Sequence, residues 1–219
     1  HENERTELNA DYKANRVDYS QTPEEDSPFS QLLDVYAALD YMGIKHTETT
    51  VCETDDWIAG YAHTYGDNTE VIVASFDSDF FQLITENVSI LRYRGDNTVI
   101  CTPAYLREKF GIEPSQYADF KSLTGDASDN IKGADKVGPK TASSLLSEFG
   151  NLENIILNAK AIKKPSIRES IIRNADRLRT NYNLIKLEGT VPLPFTIEEL
   201  PYTYDGITTN EVLKGIGVK

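Results

Sequence analysis

Two cysteines and three histidines are all that this 219-residue sequence offers to soft metals, disulfides or imidazole chemistry. Cys52 and Cys101 stand far apart and outside any metal-type spacing, so no disulfide framework is indicated and a reducing compartment is expected. His1 and His46 lie near none of the acidic clusters described below, and no Ser–His–Asp arrangement is needed to explain them. Long apolar runs are missing as well: none approaches the ~20 residues that a membrane helix requires. Nothing at the N-terminus reads as a signal peptide, and the chain carries no internal repeat or low-complexity segment. It opens on a polar stretch without an initiator Met, which leads us to expect a start upstream of His1.

What is abundant is acid. The formal net charge is −13, yet it is unevenly spread. Residues 1–120 hold 23 Asp/Glu against 8 Lys/Arg, whereas residues 121–186 hold 7 against 12. Total charge argues against a nucleic-acid partner; its division into an acidic block and a basic block argues for one. The remaining composition, 39% apolar and 26% charged, is that of a globular chain able to bury a substantial core.

Periodicity predicts a helix over Phe29–Met42 closed by Gly43, a short β-branched stretch over Ile44–Thr50, and a helix over Asp55–His63. Val71–Ser75 reads as a strand buried on both faces. Phe80–Ile84 reads as a short helix, and Val88–Tyr93 with Thr98–Cys101 as a strand pair. Alternation of strands and helices predicts an α/β layer. From Pro114 onward the pattern is helical: Pro139 begins a helix that Gly150 ends, and further helices cover Asn151–Leu157 and Ile167–Leu187. Val191–Leu200, with its prolines, is expected to be extended.

Three acidic clusters sit at element boundaries. They are Glu53-Thr-Asp55-Asp56 at a helix start, Asp77-Ser-Asp79 after the first apolar strand, and Asp126-Ala-Ser-Asp129 in a turn. Each alone has an ordinary explanation in capping, the helix dipole or turn propensity. Brought to one point, seven carboxylates would repel one another severely without counter-charge. Bound divalent cations supply it, and all-oxygen ligands select Mg²⁺ or Mn²⁺ over zinc. Two such ions roughly 3.5–4 Å apart suit in-line hydrolysis of a phosphodiester. The segment that follows carries Gly133, Gly138 and Pro139 with Lys132, Lys136 and Lys140, a turn and helix start able to seat a phosphate.

Together these motifs resemble the flap endonuclease/5′–3′ exonuclease family, nearest to the 5′ nuclease domain of bacterial DNA polymerase I. The matching stretches are Asp11-Tyr-Lys-Ala-Asn-Arg16, Glu53–Ile58, Ser75–Leu83 and Leu123–Gly150, in family order. The resemblance implies a PIN-like α/β nuclease core with a mostly parallel sheet over residues 1–120. It also implies a helix–hairpin–helix unit over 121–187 and a C-terminal extension over 188–219 packing on the core.

It further implies Glu53, Asp55, Asp56, Asp77, Asp79, Asp126 and Asp129 as metal ligands for two Mg²⁺ or Mn²⁺ ions, with K⁺ at the hairpin. Lys13, Arg16, Asp55 and Asp77 are implied as catalytic. Arg5, Tyr12, Lys13, Arg16, Lys132, Gly133, Lys136, Gly138, Lys140 and Thr141 are implied as DNA-binding. The expected partner is DNA, as a 5′ flap or a nicked or gapped duplex, with RNA–DNA primers included; no membrane is involved, and a cytoplasmic, nucleoid-associated monomer is expected.

In the family, further strands carrying two more aspartates precede the Tyr-Lys-Ala-Asn-Arg motif, so this chain is expected to lack its N-terminal strands. The Thr22–Pro28 run is expected to be a join or a shortened arch loop. Two other functions fit parts of the chain: a DNA-junction-binding module without catalysis, and a haloacid-dehalogenase-type phosphatase using Asp77-Ser-Asp79. The phosphatase would leave the other clusters and the hairpin unexplained.

Overall fold

The structure, a computed structural model, describes residues 5, 7–17, 19, 22–23, 26–27, 29–49 and 52–218. His1, Glu24, Glu25, Pro28 and Thr50 lie outside the described residues, and with them parts of the N-terminal, Thr22–Pro28 and Ile44–Thr50 expectations. The chain divides into two units: residues 1–15 with 51–192, and residues 16–50 with 193–219.

In the second unit, α1 (Leu32–Tyr41) starts later than the periodicity suggested, because Phe29 and Ser30 form a turn. Gly43 follows it at a φ of +69°, the left-handed conformation that glycine adopts at little cost after a helix. Residues 44–49 are irregular.

In the first unit the turn over residues 11–15 is followed, from residue 51 on, by α2 (Thr54–Tyr65), β1 (Val71–Ala74), a 3₁₀ turn (Asp79–Leu83), β2 (Val88–Arg92) and β3 (Val99–Cys101). The described strands make a sheet of order β1-β2-β3, with β1 parallel to β2 and β2 antiparallel to β3. The Arg94–Asn97 turn joins β2 to β3 as expected, with the Thr98 hydroxyl accepting from Arg94 N–H. β1 is not buried on both faces: Ile72 is 50% exposed, since β1 has only β2 as a strand neighbour among the described residues.

Then come α3 (Pro103–Phe110), α4 (Tyr117–Thr124), the two-residue strands β4 (Gly125–Asp126) and β5 (Ile131–Lys132), and α5 (Pro139–Phe149). Pro139 occupies the first turn of α5 and Gly150, at a φ of +89°, ends it. α6 (Leu152–Leu157) follows, capped by the Asn151 side chain, which accepts from Asn154 N–H.

The helix expected over Ile167–Leu187 is in fact two, α7 (Pro165–Arg173) and α8 (Ala175–Ile185). Asn174 breaks it by turning its side-chain amide back onto the Ser170 carbonyl at 2.8 Å. Residues 191–200 are irregular apart from a 3₁₀ turn at Ile197–Glu199, and the second unit gains an unexpected helix, α9 (Thr209–Gly215), held by a Thr208–Glu211 capping box.

Two apolar clusters fill the first unit, a large one and a small one of Tyr12, Ala118, Ile131, Leu184 and Ile185. An aromatic group of Phe81, Tyr105, Phe110, Tyr117 and Phe120 joins the 3₁₀ turn to α3 and α4, with ring centroids 5.3 Å apart for Phe81 and Tyr117. Burying each such ring contributes roughly 1.5–3 kcal/mol. The consequence for function is positional: it fixes the loop bearing Asp77 and Asp79 against the helix that leads into Asp126. Gln82 adds a second tie, donating to the Asp79 and Ile185 carbonyls at 2.9 and 3.1 Å and accepting from Leu187 N–H at 3.0 Å.

Candidate metal centre and hairpin

Asp79, Asp126 and Asp129 come from two separate stretches of sequence and meet here: one carboxylate oxygen of each lies within 4.8 Å of the others. Asp126 and Asp129 are each only 9% exposed. Asp126 is held by its own loop, accepting from the Ser128 N–H at 2.9 Å and from the Ser128 hydroxyl, and it pairs with the Lys121 ammonium. Burial pushes the Asp126 carboxyl up, but these bonds to Lys121 and Ser128 hold it below its ordinary range.

Asp79 has no such support. Its Oδ1 is buried with no hydrogen-bond partner, and Lys121 stands 4.0 Å away. Burial first, then Asp77, Asp126 and Asp129 against the opposing Lys121, push this carboxyl up to about 7. Asp77 is exposed; it ties the loop by accepting from Asp79 N–H at 2.9 Å. Asp55, on the first turn of α2, is raised by burial and then by the neighbouring charges of Asp77 and Glu53. The acids therefore form a continuous chain of mutual influence from Glu53 through Asp55, Asp77 and Asp79 to Asp126 and Asp129.

The far end of that chain is neutralised from within. Arg5 pairs with Glu53 and with Asp56, the latter at 3.0 Å, and Lys13 reaches Glu53 at 3.3 Å. Burial opposes the Arg5 charge, but Glu53 and Asp56 hold its pKa above the ordinary value. Asp56, 5% exposed, also accepts from Glu188 N–H at 2.9 Å on the same Oδ1 that meets Arg5, so that oxygen serves as a structural anchor.

The turn over residues 11–15 is stitched to the Asp126–Asn130 loop. Lys13 N–H donates to the Asp129 carbonyl at 3.1 Å, the Asn15 amide to Ala127 O at 3.0 Å, and the Asn130 amide to Asp11 O at 2.9 Å. Lys13 adopts a φ of +56°, uncommon for a residue with a side chain, and its ammonium lies 4.8 Å from the centroid of the buried Tyr12 ring. Arg16 falls in the second unit.

Five residues beyond Asp126 the backbone turns through β5 into the hairpin. Gly125 and Gly133 pack backbone to backbone: a Cβ on Gly133 would come within 2.5 Å of Gly125 N. Lys132, Lys136 and Lys140 are exposed, and Lys136 takes a φ of +66° at the tip. In front of Gly138 the space is open. The first turn of α5 is tighter than expected, because Thr141 and Ala142 N–H both turn back to the Gly138 carbonyl at 3.0 Å.

Residues that sequence reasoning missed are the counter-charges and struts: Lys121, Ser128, Gln82, Arg177 and Asn181. A lone Lys between Phe120 and Ser122, one turn before Asp126, was the available signal for Lys121.

The donor set suits a hard divalent cation: carboxylate oxygens only, with a buried one lacking any hydrogen-bond partner. No helix of the described residues is long and apolar enough to cross a membrane.

Residues 1–111 match the family described as 5′-3′ exonuclease, N-terminal resolvase-like domain, and residues 112–206 match 5′-3′ exonuclease, C-terminal SAM fold. The chain is 37% identical over 190 residues to the thermostable DNA polymerase I of Thermus aquaticus, covering 86% of this chain and 22% of that protein. It is 32% identical over 203 residues to a 5′-3′ exonuclease of Buchnera aphidicola, covering 90% of this chain and 68% of that protein. It thus spans about a fifth of the DNA polymerase I relatives it matches.

Among solved structures, the 5′-exonuclease of bacteriophage T5 with bound divalent zinc ions superposes with a TM-score of 0.70 at 25% identity, covering 83% of this chain and 69% of that one. A complex of the same phage's flap endonuclease with DNA and metal ions gives 0.69 at 25% identity, covering 83% and 68%. Through both halves of its length, the chain belongs to the 5′-3′ exonuclease family.

Proposed function

We propose that this chain is a structure-specific 5′ nuclease that hydrolyses DNA phosphodiesters at 5′ flaps and at nicked or gapped duplexes. The observation that carries this reading is the meeting of Asp79, Asp126 and Asp129, with Asp79 Oδ1 buried and accepting no hydrogen bond, in the same unit as a lysine-bearing hairpin. On this reading residues 1–120 and the Asp126–Asp129 loop carry the cleaving acids, and the rest of residues 121–187 grips the duplex. Asp79, Asp126 and Asp129 hold one divalent ion, Mg²⁺ or Mn²⁺, while Asp55, Asp77 and Glu53 serve a second. Such ions supply the positive charge that a phosphodiester needs as its bond to the leaving oxygen breaks.

The chain's own cations do the rest. Lys13, fixed by its backbone bond to Asp129, presents its ammonium between Glu53 and the Tyr12 ring, where a scissile phosphate oxygen would take it over. Arg16 joins it. Lys132, Lys136 and Lys140 contact the duplex backbone without reading sequence. Gly138, with open space before it, and Thr141 leave room for a phosphate, or for K⁺ on the hairpin carbonyls, to approach, while Gly133 lets the hairpin close on Gly125. RNA–DNA primers present the same backbone, and the setting is the cytoplasmic nucleoid.

The Arg5 pairs with Glu53 and Asp56 favour one second reading, a junction-binding module without cleavage. Cleavage of a labelled 5′-flap substrate by the full-length protein, with and without Mg²⁺, separates the two. We expect Mg²⁺-dependent cutting that Asp77→Asn or Asp126→Asn lowers by far more than tenfold; a smaller loss in both variants overturns the nuclease assignment.

A further inference from the structure

A recess of about 560 Å³ opens beside the hairpin, lined by Asn9, Asp11, Asn130, Lys132, Arg177 and the Thr180–Asn181 pair of α8. Its floor is built from one helix face, since residues 177, 180 and 181 are spaced to project together. Asn181, 2% exposed, donates to Ser122 O at 3.2 Å and Lys132 O at 3.0 Å and so locks β5 against α8. Arg177 donates from Nη2 to Gly133 O at 2.8 Å, which pins one arm of the guanidinium to the hairpin. Its Nε is buried and has no acceptor.

A guanidinium presents five N–H donors in a rigid fork, and a buried donor left unpaired is unfavourable until an acceptor arrives. The lining adds the Lys132 ammonium and three side-chain amides, Asn9, Asn130 and Asn181, the last two of which, like the Thr180 hydroxyl, already donate to backbone carbonyls. Asp11 is the one acid in the lining, and the Asn130 amide already donates to its backbone carbonyl.

We propose that this recess seats a backbone phosphate of the bound nucleic acid, with Arg177 as the positioning residue that receives it. The inference rests on the nuclease reading for the identity of the anion. A phosphate offers two acceptor oxygens at the spacing of the guanidinium fork, which an ammonium cannot match. Gly133 O holds Arg177 in the orientation needed before the strand arrives, so little freedom remains to be lost on binding. The contact lies on the α8 side of the hairpin, apart from Lys136 and Lys140, and so adds a hold on the backbone that the hairpin lysines do not provide.

The test is equilibrium binding of a fluorescent 5′-flap duplex to the full chain without divalent metal, across a salt series. Losing one arginine–phosphate contact should weaken binding about tenfold at low salt and reduce the slope of log K against log salt by about one. Arg177→Met is expected to do both. Arg177→Lys, which keeps the charge but not the fork, is expected to keep the slope and lose affinity.

Arg177 also braces the hairpin, so Thr180→Glu provides a check that leaves that brace intact. A carboxylate at the mouth of the recess should cost about tenfold in affinity at low salt by repelling a phosphate. If Arg177→Met and Thr180→Glu both bind with the parent's affinity and slope, Arg177 is a strut only and the inference falls. If the parent chain shows no salt-dependent DNA binding at all, the nuclease reading fails first.

Discussion

Two ends of one carboxylate chain are treated differently. At Glu53 and Asp56 the protein supplies its own counter-charge through Arg5 and Lys13, and Asp56 is further occupied by Glu188 N–H. At Asp79 it supplies almost none: Lys121 leans toward Asp126 and remains 4.0 Å from Asp79. Internal pairing makes an acid part of the scaffold, because removing its partner strands a buried charge. An acid left short of partners in a buried place gains from an external cation instead. The difference therefore separates acids that shape the site from those most in need of a ligand.

Arg5→Met should show the largest effect, because two acids lose their partner at once. We expect a loss of about 3–5 kcal/mol in unfolding free energy, the scale for breaking a buried pair, and only a small recovery on adding Mg²⁺. Denaturant titration with and without the metal measures both. Lys121→Met should cost somewhat less, about 3 kcal/mol, but here Mg²⁺ should restore much of it, since Asp79 and Asp126 then share the cation. Recovery in Arg5→Met but not in Lys121→Met would reverse the comparison.

Asp79→Asn sharpens it from the other side. Without metal the variant should be at least as stable as the parent, for a charge lacking a close partner has been removed. The gain of about 2.7 kcal/mol that one Mg²⁺ gives at a hundred times its dissociation constant should be lost from the total metal-dependent stabilisation. Thermal melts in the two conditions are sufficient. Least of all, Glu153→Gln removes half of an exposed pair with Arg179 and should leave the melting midpoint unmoved within error.

Much of this arrangement could be read before any coordinates. Pro139 and Gly150 bracket α5 because one has a fixed φ and the other tolerates a positive one, which are local properties. The β2–β3 pair was visible in its β-branched runs and Arg94–Asn97 turn. The need for a cation, should the acidic clusters meet, followed from repulsion among like charges, and Asp79, Asp126 and Asp129 do meet. What could not be read was pairing at a distance. Nothing local to Arg5 announces Glu53, 48 residues on, and Gln82 gives no hint of Ile185. The break at Asn174 was hidden because the apolar period continues across it, and α9 because its few turns bury only Val212. The exposure of Ile72 depends on which strands flank β1, a matter of topology that hydropathy does not encode.

Where Gly125 meets Gly133, main chain touches main chain with no side chain between. Asp126 begins on one side of that contact and the turn toward Lys136 on the other, so neither can shift without carrying the other along. A spacing set in this way behaves as a fixed calliper. Substitutions at the lysines or the acids can change how firmly each jaw closes, but the opening between them is dictated by two residues that carry no functional group.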